Sequence, residues 1–262
     1  MQSYYEMVTY IMCAVLGLCV GSFLNVVIYR VPNGMSLATP SSHCPKCKYV
    51  LKWYDNIPIL SYIMLSGKCR KCGEKISLRY TLTELANMLL WILSALLFLE
   101  KSIPLMVIAA LASSVMLCVF FIDLEHKLVF DRFVIMLAVL GIAAMFFDPY
   151  YGWISHLIGG IVGFVSFYFI AAIFAKLKNK EGLGGGDIKL TASCGLLLGW
   201  QRLLLAVLIA TVSASIVLVI LSRKTEDEEK EYPFAPFLTA AFAISIFLGH
   251  DIIAVYLSVL GL

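Results

Sequence analysis

Residues 103–123 read IPLMVIAALASSVMLCVFFID: twenty uncharged residues, then the carboxylate of Asp123. At about 1.5 Å per residue, a helix of that length covers roughly 30 Å, the hydrocarbon thickness of a bilayer. The run therefore predicts a membrane-spanning helix and sets the fold class. A second carboxylate stands in the mirrored position, where Gly184-Gly185-Gly186-Asp187 opens a further apolar stretch. Ionisable groups at the edge of hydrocarbon are unfavourable unless they have work to do, so Asp123 and Asp187 are the first candidates for function.

The rest of the chain agrees with that helix. Of 262 residues, 61% are hydrophobic and 14% charged, and the mean hydropathy is +0.91, which excludes an ordinary soluble core. Spans read near 8–29, 81–99, 103–122, 133–147, 153–175, 187–199, 202–221 and 234–260. The expected fold is an all-α polytopic membrane protein with about eight transmembrane helices and a small cytoplasmic zinc-binding insertion after the first. This divides the chain into a first transmembrane helix at 1–30, the four-cysteine insertion at 31–80 and a transmembrane core at 81–262. The sixth span is short, and a re-entrant segment is a live alternative there.

Lysine and arginine set the orientation, because cytoplasmic loops carry an excess of them. With both termini outside the cytoplasm, segments 30–80, 123–132, 176–189 and 222–231 are cytoplasmic and hold 18 of the 20 basic residues. Only Lys101 and Arg202 lie opposite. The net charge of +3 then reflects topology, and no nucleic-acid motif is present. Glu6 precedes the first apolar run and Arg30 follows it, the reverse of a secretory signal, so the first helix is expected to be retained.

The insertion carries Cys44-Pro45-Lys46-Cys47 and Cys69-Arg70-Lys71-Cys72, two C-x-x-C knuckles separated by 21 residues. That spacing fits a tetrahedral four-thiolate zinc site. Four protein ligands leave no open position for water, so the zinc is read as structural, and it would supply much of the folding free energy of a segment poor in apolar residues. Redox-active dithiols are the rival reading, which a reducing cytoplasm disfavours. His43 reads as a solvated neighbour of Cys44, and Cys13, Cys19, Cys118 and Cys194 as small packing residues within apolar runs.

Hydrolysis of an amide by two carboxyl groups needs one ionised, to take a proton from water, and one protonated, to polarise the carbonyl. Asp123 at the end of one helix and Asp187 at the start of another can meet at one depth. Helix dipoles suggest Asp187 as base and Asp123 as acid, although a coupled pair titrates as a unit. Gly184, Gly185 and Gly186 leave backbone without side chains, which permits close approach of an extended substrate strand. Taken singly, Asp123 could open a solvated loop and Asp187 could cap a helix.

The chain resembles the type IV prepilin peptidases, bifunctional leader peptidases and N-methyltransferases of the Gly-x-Gly-Asp class of intramembrane aspartic proteases. The resemblance rests on the order of several motifs. Gly21-Ser22-Phe23-Leu24-Asn25 ends the first span, and Trp53-Tyr54-Asp55-Asn56-Ile57-Pro58 lies between the cysteine knuckles. Arg79-Tyr80 and Glu84 follow, then Phe121-Ile122-Asp123, Gly-x-Gly-Asp at 184–187, and Pro233-Phe234-Ala235-Pro236-Phe237. It implies catalytic roles for Asp123 and Asp187 and a bacterial cell-membrane location. The implied substrates are prepilins and pseudopilins, whose short basic leader precedes a hydrophobic helix, and the implied methyl donor for the new N-terminus is S-adenosylmethionine. One departure stands out: Phe130 occupies the position before Asp131 where the family usually has proline, which puts the geometry of that loop in question.

No cofactor-binding residue is assigned from the sequence. Gly182-Leu183-Gly184-Gly185-Gly186 lacks the preceding strand of a dinucleotide loop. Asn25, Asp55 and Glu84 could serve methylation or equally act as local hydrogen-bonding groups. His156 reads as interfacial, His250 and Asp251 as local polar contacts, and 226–231 as a solvated acidic loop. Two other classes compete: an ion-coupled transporter, which would need its carboxylates deep in an aqueous path, and a zinc-bearing membrane scaffold, which would need no aspartates.

Overall fold

The structure, a computed structural model, describes residues 2–178, 184–222 and 232–261. The described residues are helical apart from turns and two isolated β-bridges in the insertion. The helices are α1 (Gln2–Arg30), α2 (Leu60–Met64), α3 (Leu78–Phe98), α4 (Ile103–His126), α5 (Asp131–Phe147), α6 (Trp153–Lys178), α7 (Gly185–Leu198), α8 (Trp200–Ser222) and α9 (Ala235–Val259). A 3-10 turn at Trp53–Asn56 completes the set.

Eight of these helices coincide with the eight predicted stretches. Six are long and apolar enough to cross a membrane: α1, α3, α4, α6, α8 and α9. With 17 and 14 residues, α5 and α7 reach only about 26 and 21 Å, short of a bilayer's hydrocarbon. The fold class stands, while the count of eight full spans does not follow from helix length.

The chain divides into two compact units, Met1–Leu99 and Glu100–Leu262. In the first, α1 packs along α3. Gly17 and Gly21, one turn apart, make this possible: a Cβ at Gly17 would lie 2.9 Å from Met88 Cα, and one at Gly21 would lie 2.8 Å from Glu84 Cα. Small residues four apart let helix backbones approach closely where lipid offers no hydrophobic driving force. Asn87 seals the seam by donating to the Gly17 carbonyl at 2.7 Å.

In the second unit, α4 packs on α5 and α9, and α7 lies against both α5 and α6. α6 and α7 cross nearly backbone to backbone at Gly159, Gly163 and Gly195, where a Cβ at Gly163 would lie 2.7 Å from the Thr191 carbonyl oxygen. Ser102 caps α4 by accepting the Leu105 N–H at 3.3 Å, and Lys127 in the left-handed region (φ 55°) ends it. Wide apolar faces point outward on α6 and α8, including Ile161, Phe169, Leu204 and Leu208.

At the far end of α5 from Asp131, Asp148 forms a buried ion pair with Arg202. His156 is 3.4 Å from the same carboxylate and meets the Leu196 carbonyl at 2.9 Å through Nδ1. His156 is fully buried, which corrects its reading as an interfacial residue: the turn at 148–152 folds Asp148 back over the start of α6. His250 does not make the local polar contact expected of it: its ring stacks on Tyr150, 100 residues away, with centroids 4.0 Å apart, and its Nδ1 is buried without a hydrogen-bond partner. The acidic run at 226–231 lies outside the described residues.

Candidate active site and metal centre

Asp123 sits in the last turn of α4, 5% exposed, behind the fully buried Ile122. The start of α9 lies against it, with the backbone N–H of Ala235 favouring its carboxylate charge. Asp187 lies in the first turn of α7, half-buried, its carbonyl accepting the Thr191 hydroxyl at 2.8 Å. α4 and α7 place the two carboxylates within electrostatic reach of each other.

The surroundings explain how α7 is held there. A Cβ at Gly186 would lie 2.8 Å from Val129 Cβ, so this glycine lets the start of α7 seat against the α4–α5 connection. Gly185 has open space around it, and a Cβ at Gly184 would meet only Asp187 itself, at 3.6 Å. Lys189 pairs with Asp131 at 2.8 Å and links α7 to the start of α5. Both partners are exposed, so the link orients more than it stabilises. Phe130 takes φ −83° and ψ 135° before α5, close to the φ that a proline ring fixes, so the departure from the family pattern fits the same turn. Gly182 and Leu183 lie outside the described residues.

In the insertion the two cysteine knuckles repeat one geometry. Cys44 and Cys69 each donate their N–H to the carbonyl five residues on, Tyr49 at 2.9 Å and Glu74 at 2.7 Å. Each carbonyl accepts from the N–H four residues on, Lys48 and Gly73, both at positive φ. The result brings all four sulfurs within 4.8 Å of one another, with Cys44–Cys72 and Cys47–Cys69 both 3.9 Å apart. A tetrahedral ion with bonds of about 2.3 Å sets sulfurs about 3.8 Å apart, whereas a disulfide needs about 2.05 Å, so the cluster fits a metal. Backbone N–H groups of Cys72 and Lys71 draw the Cys69 thiol down to about 6. Cys72 goes the other way, to about 11: the Glu74 N–H lowers it, but burial and the neighbouring sulfurs outweigh that. Four cysteine sulfurs gathered this closely can all ionise only with a cation between them. His43 turns away, its ring meeting the Ser41 carbonyl at 2.9 Å.

Asp55 proves structural in its contacts. It binds Arg70 at 2.7 Å, accepts the Lys52 N–H at 3.2 Å, and so ties the 3-10 turn to the second knuckle. Burial pushes its carboxyl up, but Arg70 and the Lys52 N–H hold it below the usual carboxylate range. Two features escaped the sequence reading: the Ala235 donor beside Asp123, hinted at only by the proline-flanked start of α9, and the Asp148–Arg202–His156 cluster, whose members lie up to 54 residues apart.

These observations define an all-helical integral membrane protein with a paired-carboxylate site in one unit and a four-cysteine centre in the other. The Bacterial Peptidase A24 N-terminal domain matches residues 15–98, and the Type IV leader peptidase family matches residues 110–219. A prepilin leader peptidase/N-methyltransferase of Pseudomonas aeruginosa is 33% identical over 96% of this chain and 95% of its own length. One of Myxococcus xanthus is 40% identical over 78% of this chain, a match spanning 60% of that relative. One of Burkholderia pseudomallei is 34% identical over 90% of this chain and 84% of its own length. The chain belongs to the type IV leader peptidase family. No solved structure matches it.

Proposed function

We propose that this protein removes the short basic leader from type IV prepilins and pseudopilins at the cytoplasmic membrane face and then N-methylates the new N-terminal residue. The observation that supports the first activity is the placement of Asp123 and Asp187, from α4 and α7, at the ends of apolar helices and within electrostatic reach of each other. One carboxylate takes a proton from water as it attacks the scissile carbonyl, while the other, protonated, donates to the carbonyl oxygen. Helix N-termini face both groups, α7 at Asp187 and α9 at Asp123, so helix ends alone do not divide the roles. Gly185, with open space beside it, and Gly184, where an added Cβ would meet only Asp187, give an extended substrate strand room to lie along the backbone.

Cys44, Cys47, Cys69 and Cys72 hold structural zinc, which on binding fixes the fold of the insertion; their sulfur spacing supports this reading. The methyl donor is S-adenosylmethionine, in keeping with the names of the relatives. The protein resides in the bacterial cell membrane with both termini outside the cytoplasm, an orientation supported by 18 of 20 basic residues falling on one side. A carboxylate pair on a transporter path would lie deep in a span, and these stand at helix ends.

A synthetic prepilin segment in which the scissile amide is replaced by a hydroxyl-bearing tetrahedral isostere tests the aspartic mechanism. It should inhibit leader removal far more strongly than the substrate competes, as transition-state analogues do. Inhibition no better than that of an unmodified peptide would contradict the mechanism.

A further inference from the structure

A cavity of about 700 Å³ in the first unit runs from Cys44 and Cys69 of the sulfur cluster to Glu84 on α3. Its volume suits a small organic molecule. Asn25, Tyr29, Tyr62, Tyr80 and Glu84 are among the residues lining it, together with parts of the insertion. Three carboxylates, Asp55, Glu74 and Glu84, and three cations, Arg30, Arg70 and Lys75, reach the cavity, and the Arg30 guanidinium is spent on the Ser36, Leu37 and Pro40 carbonyls. Asp55 is neutralised by Arg70, and Glu74 by Lys46.

Glu84 is different. It is 8% exposed, accepts the Ile59 N–H at 2.8 Å and meets the Ser22 side chain, and none of its described contacts is a cation. Ile59 holds that N–H in place at φ 61°, a conformation that β-branched residues rarely adopt and that needs support from its surroundings. Asn25 stands one turn beyond Gly21, the residue that packs on Glu84. Its Nδ2 donates to the Tyr80 carbonyl at 3.0 Å, which orients the amide, and its Oδ1 is buried with no hydrogen-bond partner. An unmet buried oxygen and a buried carboxylate with no cation among its described contacts, lining one cavity, are both better satisfied by a positively charged donor.

We infer that this cavity binds an organic cation against Glu84 and Asn25, and we assign it as the site of the sulfonium methyl donor. The inference rests on the methylating half of the proposed function and deepens it. A sulfonium donor brings a positive sulfur, an α-ammonium and a purine; the Glu84 carboxylate meets the charge, the Asn25 amide oxygen accepts from the ammonium, and the tyrosine rings offer faces for the purine and for the cation. The free α-ammonium of a processed substrate is the other cation that the same chemistry would accept.

Equilibrium dialysis of labelled S-adenosylmethionine against the intact zinc-loaded protein in detergent tests the assignment, with S-adenosylhomocysteine, which lacks the sulfonium charge, as competitor. The unaltered protein should bind the donor saturably and prefer it to the neutral analogue. Glu84→Gln should weaken binding roughly ten- to a hundredfold and abolish that preference. Glu84→Asp should keep part of the preference, which a merely structural role would not track, and unchanged elution on size exclusion and zinc content certify both variants as folded. Undiminished affinity and preference in Glu84→Gln would overturn the site alone. Displacement of the donor by a free-amine peptide but not by its N-acetylated copy would give Glu84 to the acceptor amine and overturn the donor assignment. Absence of donor binding by the unaltered protein, with leader removal intact, would overturn the methylating reading itself.

Discussion

Gly186 seats against Val129 so closely that a Cβ on the glycine would lie 2.8 Å from Val129 Cβ, while the adjacent Gly185 has open space around it. One residue of the glycine triplet therefore serves packing, and its neighbour is free to serve substrate.

The two glycines should respond differently to alanine. Gly186→Ala forces α7 away from the α4–α5 connection and moves Asp187 with it, lowering stability by about 1–3 kcal/mol, as overpacking does, together with leader removal. Gly185→Ala should leave thermal unfolding unchanged and lower kcat/KM for cleavage if the substrate strand lies along this backbone. Unfolding midpoints and cleavage kinetics on both variants separate the two roles; equal stability loss would contradict the packing account.

The metal centre predicts a stoichiometric result. Elemental analysis should find one zinc per chain, lost on replacing Cys44 or Cys69 with serine, because each supplies one corner of the four-sulfur cluster. Limited proteolysis within 31–80 should rise in parallel, since the metal supplies folding free energy that the few apolar residues of the insertion do not. Full metal content in the serine variants would contradict it.

Asp148 gives a pH dependence of defined sign. Burial pushes its carboxyl up, but His156 and Arg202 more than offset this and hold it below the ordinary carboxylate range. A depressed folded value means that the pairing stabilises fully above the ordinary value and is lost as pH falls through the folded one. Unfolding midpoints should therefore be flat with respect to this group near neutrality and decline below about pH 4. Asp148→Asn should be destabilised near neutrality by about 3–5 kcal/mol, since it leaves Arg202 buried without its partner, and should show a shallower acid decline.

The spans were legible because membrane helices must satisfy every backbone group within themselves, so the uncharged run at 103–122 could adopt little else. The cysteine centre was legible because its ligands come in two local pairs. Asp123 and Asp187 were legible as residues, since charge at the end of an apolar run stands out, but their meeting depends on glycine-mediated crossings of α7 with α5 and α6 that involve Gly141, Gly159 and Gly163. The full burial of His156 was hidden because its partner Asp148 comes from a turn whose path no local pattern announces. Asn25 and Glu84 were legible as residues that could serve methylation, but their sharing of one cavity was not, because it depends on the packing of α1 along α3 at Gly17 and Gly21.

The most direct test of the catalytic pair is mass spectrometry of a synthetic prepilin incubated with the purified protein and with Asp123→Asn and Asp187→Asn. The unaltered protein should release the leader, and each substitution should slow release by roughly 10²- to 10⁴-fold, the contribution of a positioned proton-transfer group. Processing by either folded variant at the unaltered rate would contradict the account.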